Sequence, residues 1–174
     1  MNDKMKYFRD ILVTVLVAIV IFVSLQFTVG TFRVYGTSML PGVLPDDYII
    51  VNKVDYYLHK PDRGDVIVLR SPRDQSTDLI KRIIAIPGDS IEIRNGQVLV
   101  NDKVLSEPYI KEEPTYKYPK QTLPEDNYFV LGDNRNVSAD SHIGWYALRE
   151  DIIGKAWITY WPFGRMQIIK HFKI

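Results

Sequence analysis

The 174-residue chain carries 22 Lys+Arg against 21 Asp+Glu, so its charge balance gives no ground for nucleic-acid binding. It has no cysteine, which excludes disulfides, thiol catalysis and thiolate metal sites, and suits a compartment where stray thiols oxidise. Its length is that of one domain with room for an appendage.

The first predicted element runs from Ile11 to Gly30, "ILVTVLVAIVIFVSLQFTVG", with only Thr, Ser and Gln as polar interruptions. Twenty helical residues span roughly 30 Å, about the hydrocarbon thickness of a bilayer. Lys4, Lys6 and Arg9 precede the run, whereas Arg33 is the only basic residue among positions 31–50. That asymmetry predicts a single-pass protein of the cell membrane, with residues 1–10 in the cytoplasm, an anchor at 11–30, and residues 31–174 outside. A removable signal peptide is the alternative, but its apolar region would run only about 7–15 residues.

Beyond the anchor, segments rich in Ile, Val and Tyr alternate with turn signals. "YIIVNKV" (48–54), "DVIVL" (65–69), "LIKRIIAI" (79–86), "NYFVLG" (127–132) and "AWITYW" (156–161) read as strands. Between Ser90 and Asp102, Ile91 and Ile93 alternate with polar residues, Asn95-Gly96 makes a turn, and Val98 and Val100 resume the alternation, which predicts a β-hairpin. Prolines 108, 114, 119 and 124 mark residues 106–124 as a surface excursion. The expected fold class is mainly β.

The absent motifs narrow the chemistry. No HExxH, Walker loop, GxGxxG or GxSxG occurs, and His59, His142 and His171 are scattered, so neither metal nor cofactor is expected. A serine–histidine triad spread along the chain would need His142 as its base. "LIKRIIAIPGD" (79–89) offers another base. Strand alternation puts Leu79, Lys81, Ile83 and Ala85 on one face and Ile80, Arg82, Ile84 and Ile86 on the other. Arginine keeps its proton, whereas a desolvated lysine can lose its own near neutral pH and act on a serine hydroxyl. A lysine here can equally cover the core with its stem while its ammonium reaches water. "LGDNRNVSADSHIGW" (131–145) crowds Asp133, Asn134, Arg135, Ser138, Asp140 and Ser141 into a polar loop after a strand.

The chain resembles the type I signal peptidases, of the Gram-positive kind with a single anchor. The resemblance rests on ordered motifs: the anchor, "GTSMLP" (36–41), "RGDVIVLR" (63–70), "KRIIAIPGD" (81–89) and "GDNRNVSADS" (132–141). It implies an antiparallel β-sheet catalytic domain behind one transmembrane helix, and a membrane-bound serine endopeptidase that removes signal peptides from exported preproteins. Position by position, Ser38 matches the nucleophile, Lys81 the general base and Ser138 a serine that orients the lysine amine. Asp133, Arg135 and Asp140 match polar residues that hold the last loop, and Met39 and Pro41 the residues that shape the nucleophile turn. Gly36 stands where some members place a serine whose hydroxyl binds the oxyanion, so backbone donors, including the Ser38 N–H, are expected to serve instead. His142 stands where many relatives have arginine beside the residue matching Asp140, and its loss of charge is expected to loosen that loop at alkaline pH.

Partners implied are the signal peptides of secreted preproteins and membrane lipid, with no nucleic acid. Ser38 lies eight residues beyond Gly30, a tether of at most about 26–29 Å, which keeps the nucleophile at the membrane face. Two other readings remain at this stage. One is a soluble-type serine–lysine autoprotease, against which the anchor argues. The other is a catalytically silent anchored β module of the same fold.

Overall fold

The computed structural model describes residues 3–174. Met1 and Asn2 of the predicted cytoplasmic segment, and the side chain of Lys4, lie outside the described residues. Helix α1 spans Asp3–Thr28. Its Met5–Thr28 portion is long and apolar enough to cross a membrane, and none of it is buried against the rest of the chain. The hydroxyl interruptions are satisfied within the helix: Thr14 Oγ1 donates to Asp10 O, Ser24 Oγ to Val20 O and Thr28 Oγ1 to Leu25 O. Such back-bonding removes hydroxyls that lipid could not solvate. The helix ends at Thr28, and Val29 and Gly30, the last residues of the predicted span, begin the first strand.

In chain order the remaining elements are β1 (Val29–Arg33), β2 (Tyr48–Asn52), the single turn α2 (Asp55–Leu58), β3 (Val66–Arg70), β4 (Asp78–Ala85), β5 (Ser90–Arg94), β6 (Gln97–Val100), β7 (Lys103–Val104), β8 (Tyr118–Thr122), β9 (Asn127–Leu131), β10 (Ala147–Leu148), β11 (Ile152–Trp161) and β12 (Gln167–Ile168). All five predicted strands are present, and so is the hairpin, as β5 and β6. Asn95 at φ 51° and Gly96 at φ 76° both take left-handed backbone, the requirement of a tight primed turn.

Two antiparallel sheets result. The larger runs β1-β2-β11-β3-β4-β9-β10 with β12 added alongside β11, and the smaller runs β7-β6-β5-β8. Strand β11 is long enough to pair β2 along one side and β3, then β12, along the other. Between the sheets lies a core of Ile84, Ala85, Ile91, Ile93, Val98, Phe129 and Leu131. A second cluster, with Val34, Met39, Val43, Ile49, Val51 and Val68, lies beneath the segment after β1. A third joins Tyr56, Ile67, Leu69, Ile83 and Val130.

Two expectations from the sequence change here. Strict alternation along β4 breaks at a bulge, where the pairing with β9 shifts register between Ile83 and Ala85. Parity inverts beyond it, so Ile86 packs with Leu79 and Ile83 while Ala85 joins Ile84 against the smaller sheet. An extra residue on one strand has this effect because side chains alternate with period two. The proline-rich segment is also more than a surface excursion. It supplies β8, with Pro119 tolerated because β8 is an outer strand, and it buries Tyr109, Tyr118 and Leu123.

Phe129 is fully buried at the junction of the two sheets and touches Tyr118 and Tyr146. Phe129→Ala is expected to lower stability by about 3–5 kcal/mol, read by denaturant unfolding in detergent micelles.

Candidate active site

Ser38 sits in the turn that follows β1. The turn is closed on itself by Val34 N–H to Asp47 O, Asp46 N–H to Val34 O and Val43 N–H to Met39 O, and Met39 plugs it into the second core cluster. Gly36, two residues before Ser38, has φ +83°, a conformation that strains any side chain, and a Cβ there would meet nothing. The glycine is required by the backbone, not by lack of space.

Strand β4 carries Lys81 to this turn. Lys81 Nζ lies 2.9 Å from Ser38 Oγ. The lysine is only 3% exposed, so the stem-inside, ammonium-outside alternative does not hold. Burial lowers its pKa to about 8, against the attraction of Asp140 and Asp133, which raises it. A group with that value exchanges its proton within the physiological range.

The neighbouring residue on β4, Arg82, meets Asp133 in a bidentate pair, Nε to Oδ1 at 2.9 Å and Nη2 to Oδ2 at 2.8 Å. Arg82 Nη1 donates to the carbonyls of Gly64 and Lys170. Burial pushes the Asp133 carboxyl upward, and the Arg82 guanidinium opposes that shift. Arg135 is fully buried, donates to Gly132 O, and pairs with Glu107 at 2.6 and 2.9 Å. Asp140 accepts from Gly132 N–H through Oδ2, and from the backbone N–H and Nδ1 of His142 through Oδ1. Gly132 is close-packed: a Cβ there would overlap the Ser138 hydroxyl and the Ser38 carbonyl.

The structure thus brings Ser38, Lys81, Asp133, Arg135 and Asp140 into one region. Ser138 Oγ is buried there too, but it makes no hydrogen bond among the described residues. His142 has none to Ser38; its ring stacks on Tyr116 with centroids 3.9 Å apart. A neutral imidazole protonated at Nδ1 would still donate to Asp140, so loss of the His142 charge would weaken this contact without removing it.

Sequence reading missed two positions that hold the site together. Glu107 neutralises Arg135 from 28 residues away, inside the proline-rich segment, with no local pattern to betray it. Asn134 had no assigned role, yet its Nδ2 donates to Thr37 O at 3.0 Å and its N–H to Ser38 O at 2.9 Å.

Ser38 and Lys81 open onto a cleft of about 70 Å³ walled by Phe32, Val34, Ile49, Val68, Leu79 and Ile80. On the β9 side, pairing of β4 begins at Arg82, so Asp78–Lys81 present an unpaired edge to the cleft. β1, bordering the cleft opposite, is the outer strand of its sheet. An extended peptide can add to such edges through main-chain hydrogen bonds, with its alternate side chains facing the cleft.

A sequence profile described as "Signal peptidase, peptidase S26" matches residues 6–161. Signal peptidase I U of Bacillus subtilis (strain 168) is 35% identical over 188 residues, covering 98% of this chain and 100% of that protein. Signal peptidase I of Leptolyngbya laminosa is 40% identical over 136 residues, covering 74% of this chain and 67% of that one. The crystal structure of a signal peptidase I from Enterococcus faecalis superposes with a TM-score of 0.51 at 32% identity, covering 56% of this chain and 97% of that chain.

The depressed Lys81 pKa carries a stability consequence. The unfolded chain holds the lysine proton up to the ordinary value of 10.5, and the folded chain releases it near 8. Unfolding therefore takes up a proton between these values, and stability rises with pH across that window. At pH 7 the buried ammonium costs about 3 kcal/mol. Lys81→Met is expected to melt later than wild type at pH 7, with the gap closing toward pH 10.5, as followed by thermal unfolding across pH.

Proposed function

The chain belongs to the signal peptidase family, peptidase S26, and we propose that it removes signal peptides from preproteins with Ser38 as nucleophile and Lys81 as general base. The observation that carries this reading is the 2.9 Å approach of Lys81 Nζ to Ser38 Oγ in a site that lowers the lysine pKa to about 8. Lys81 takes the Ser38 proton as Oγ adds to the carbonyl carbon of the small residue held in the cleft. Backbone N–H groups receive the oxyanion. The intermediate collapses by breaking the C–N bond, and Lys81 returns the proton to the departing amine. A water deprotonated by Lys81 then attacks the acyl ester, and Ser38 Oγ leaves with that proton. No metal or cofactor takes part.

Helix α1 supports a membrane anchor, and Lys4, Lys6 and Arg9 favour a cytoplasmic N-terminus with the β domain outside. A substrate that carries its own apolar helix would share that membrane, which raises its effective concentration at the cleft without any further contact. The intact Ser38–Lys81 contact weighs against a silent module, since packing alone has no use for a buried amine.

Cleavage of a precursor by the membrane-embedded chain is expected to rise with pH to a midpoint near 8, following the Lys81 pKa. Ser38→Ala and Lys81→Ala are each expected to lose about 10⁴–10⁶-fold, and the double variant no more than either. Activity surviving in Lys81→Ala would move the base elsewhere. Protease added to intact cells is expected to digest residues 31–174 and spare an N-terminal tag; digestion of the tag would reverse the orientation.

A further inference from the structure

Peptide planarity turns one hydrogen bond beside Ser38 into a constraint on chemistry. The Thr37–Ser38 peptide is trans, so the Ser38 N–H points opposite to the Thr37 carbonyl. That carbonyl accepts from Leu40 N–H at 3.3 Å and more closely from Asn134 Nδ2 at 3.0 Å. The next peptide is held by the same residue, through Asn134 N–H to Ser38 O at 2.9 Å. Both peptide units flanking the nucleophile are thus clamped by Asn134, which comes from the loop after β9 and is 2% exposed. The Ser38 N–H itself donates to no group among the described residues and is aimed away from Asn134.

Two further observations bear on what this clamp is for. Asn134 Oδ1 is buried without a partner. The one hydrogen bond made by this side chain among the described residues is therefore the donation from Nδ2 to Thr37 O. Position 36, from which a hydroxyl could reach an oxyanion, is a glycine at φ +83°, so a side-chain donor there would be strained. The burden falls on backbone N–H groups, whose value depends on being aimed beforehand.

We infer that Asn134 is a positioning residue that aims the Ser38 N–H at the oxyanion formed during peptide cleavage. This role rests on the Ser38–Lys81 reading. Asn134 touches neither substrate nor reacting atoms. It fixes the plane of the peptide that does.

The test uses the full chain in detergent micelles, with wild type, Asn134→Leu, Ser38→Ala and Lys81→Ala side by side. Asn134→Leu removes the Nδ2 donor at similar size and keeps the backbone bond to Ser38 O. It is expected to lower kcat about 10²–10³-fold, to change KM by less than about threefold, and to leave the pH midpoint in place because Lys81 is untouched. The probe for the oxyanion is a peptide aldehyde ending in alaninal. Ser38 Oγ adds to its carbonyl carbon, the serine proton passes to Lys81, and the adduct oxygen occupies the oxyanion position. Its affinity is expected to fall by the same factor as kcat/KM.

A raised KM with kcat intact overturns the inference, and so does a fallen kcat without matching loss of aldehyde affinity. If Asn134→Leu does not fold, the ¹⁵N-labelled wild type decides. Its Ser38 amide proton is expected to move downfield when the aldehyde adduct forms, and an unmoved proton overturns the role. Activity retained by Ser38→Ala or Lys81→Ala overturns the dyad reading and the inference with it. Both of these dead beside a wild-type-like Asn134→Leu overturns the Asn134 role alone.

Discussion

An amine buried beside a serine hydroxyl keeps its usefulness only if the carboxylates near it are already engaged. Lys81 feels burial pulling its pKa down, and Asp140 and Asp133 pulling it up. Were either carboxylate free to swing onto the amine, a salt bridge would fix the proton there and the site would be inert at neutral pH. Each is instead committed elsewhere. Asp133 is gripped by both arms of Arg82, and Asp140 by Gly132 N–H and by His142. Removing one member of such a pair strands the other in the interior, at about 3–5 kcal/mol.

The loop from Gly132 to Asp140 is where these commitments meet. It leaves β9 directly after the strand has paired with Arg82 of β4, so the sheet register that places Lys81 also places Asp133. The loop in turn supports the turn that carries Ser38 through Asn134, and is itself held from outside by the proline-rich segment. There Glu107 neutralises Arg135, Tyr109 lies under the Arg82 guanidinium at 4.2 Å, and Thr115 bonds Asn136. The segment thus works as a strap over the polar loop.

Much of this was legible in the residues. Period-two patterning gave the five strands, and Asn95-Gly96 gave the hairpin because few residues tolerate left-handed backbone twice in succession. Lys81 drew attention through its apolar surroundings, and Ser38 through motif order. What stayed hidden depends on contacts between distant parts of the chain. The β4 bulge shows only against β9, the Glu107–Arg135 pair spans 28 residues, and the Asn134–Thr37 bond spans 97. Prolines 108 and 114 spoke correctly against regular structure in the strap but carried no information about burial. Proline limits hydrogen bonding, and burial is decided by what packs on top.

Val34, Ile49 and Val68 wall the cleft beside Ser38 and are also members of the core cluster beneath it. Selectivity and solidity are therefore written in the same side chains. Carving room for a larger residue would mean truncating this core, at about 2–5 kcal/mol for a large residue cut to alanine, in domains whose total stability is about 5–15 kcal/mol. One such change weakens the protein, and two can unfold it. A change in what the cleft admits is therefore also a change in the solidity of the fold, whereas exposed positions away from the cleft are free of that tie.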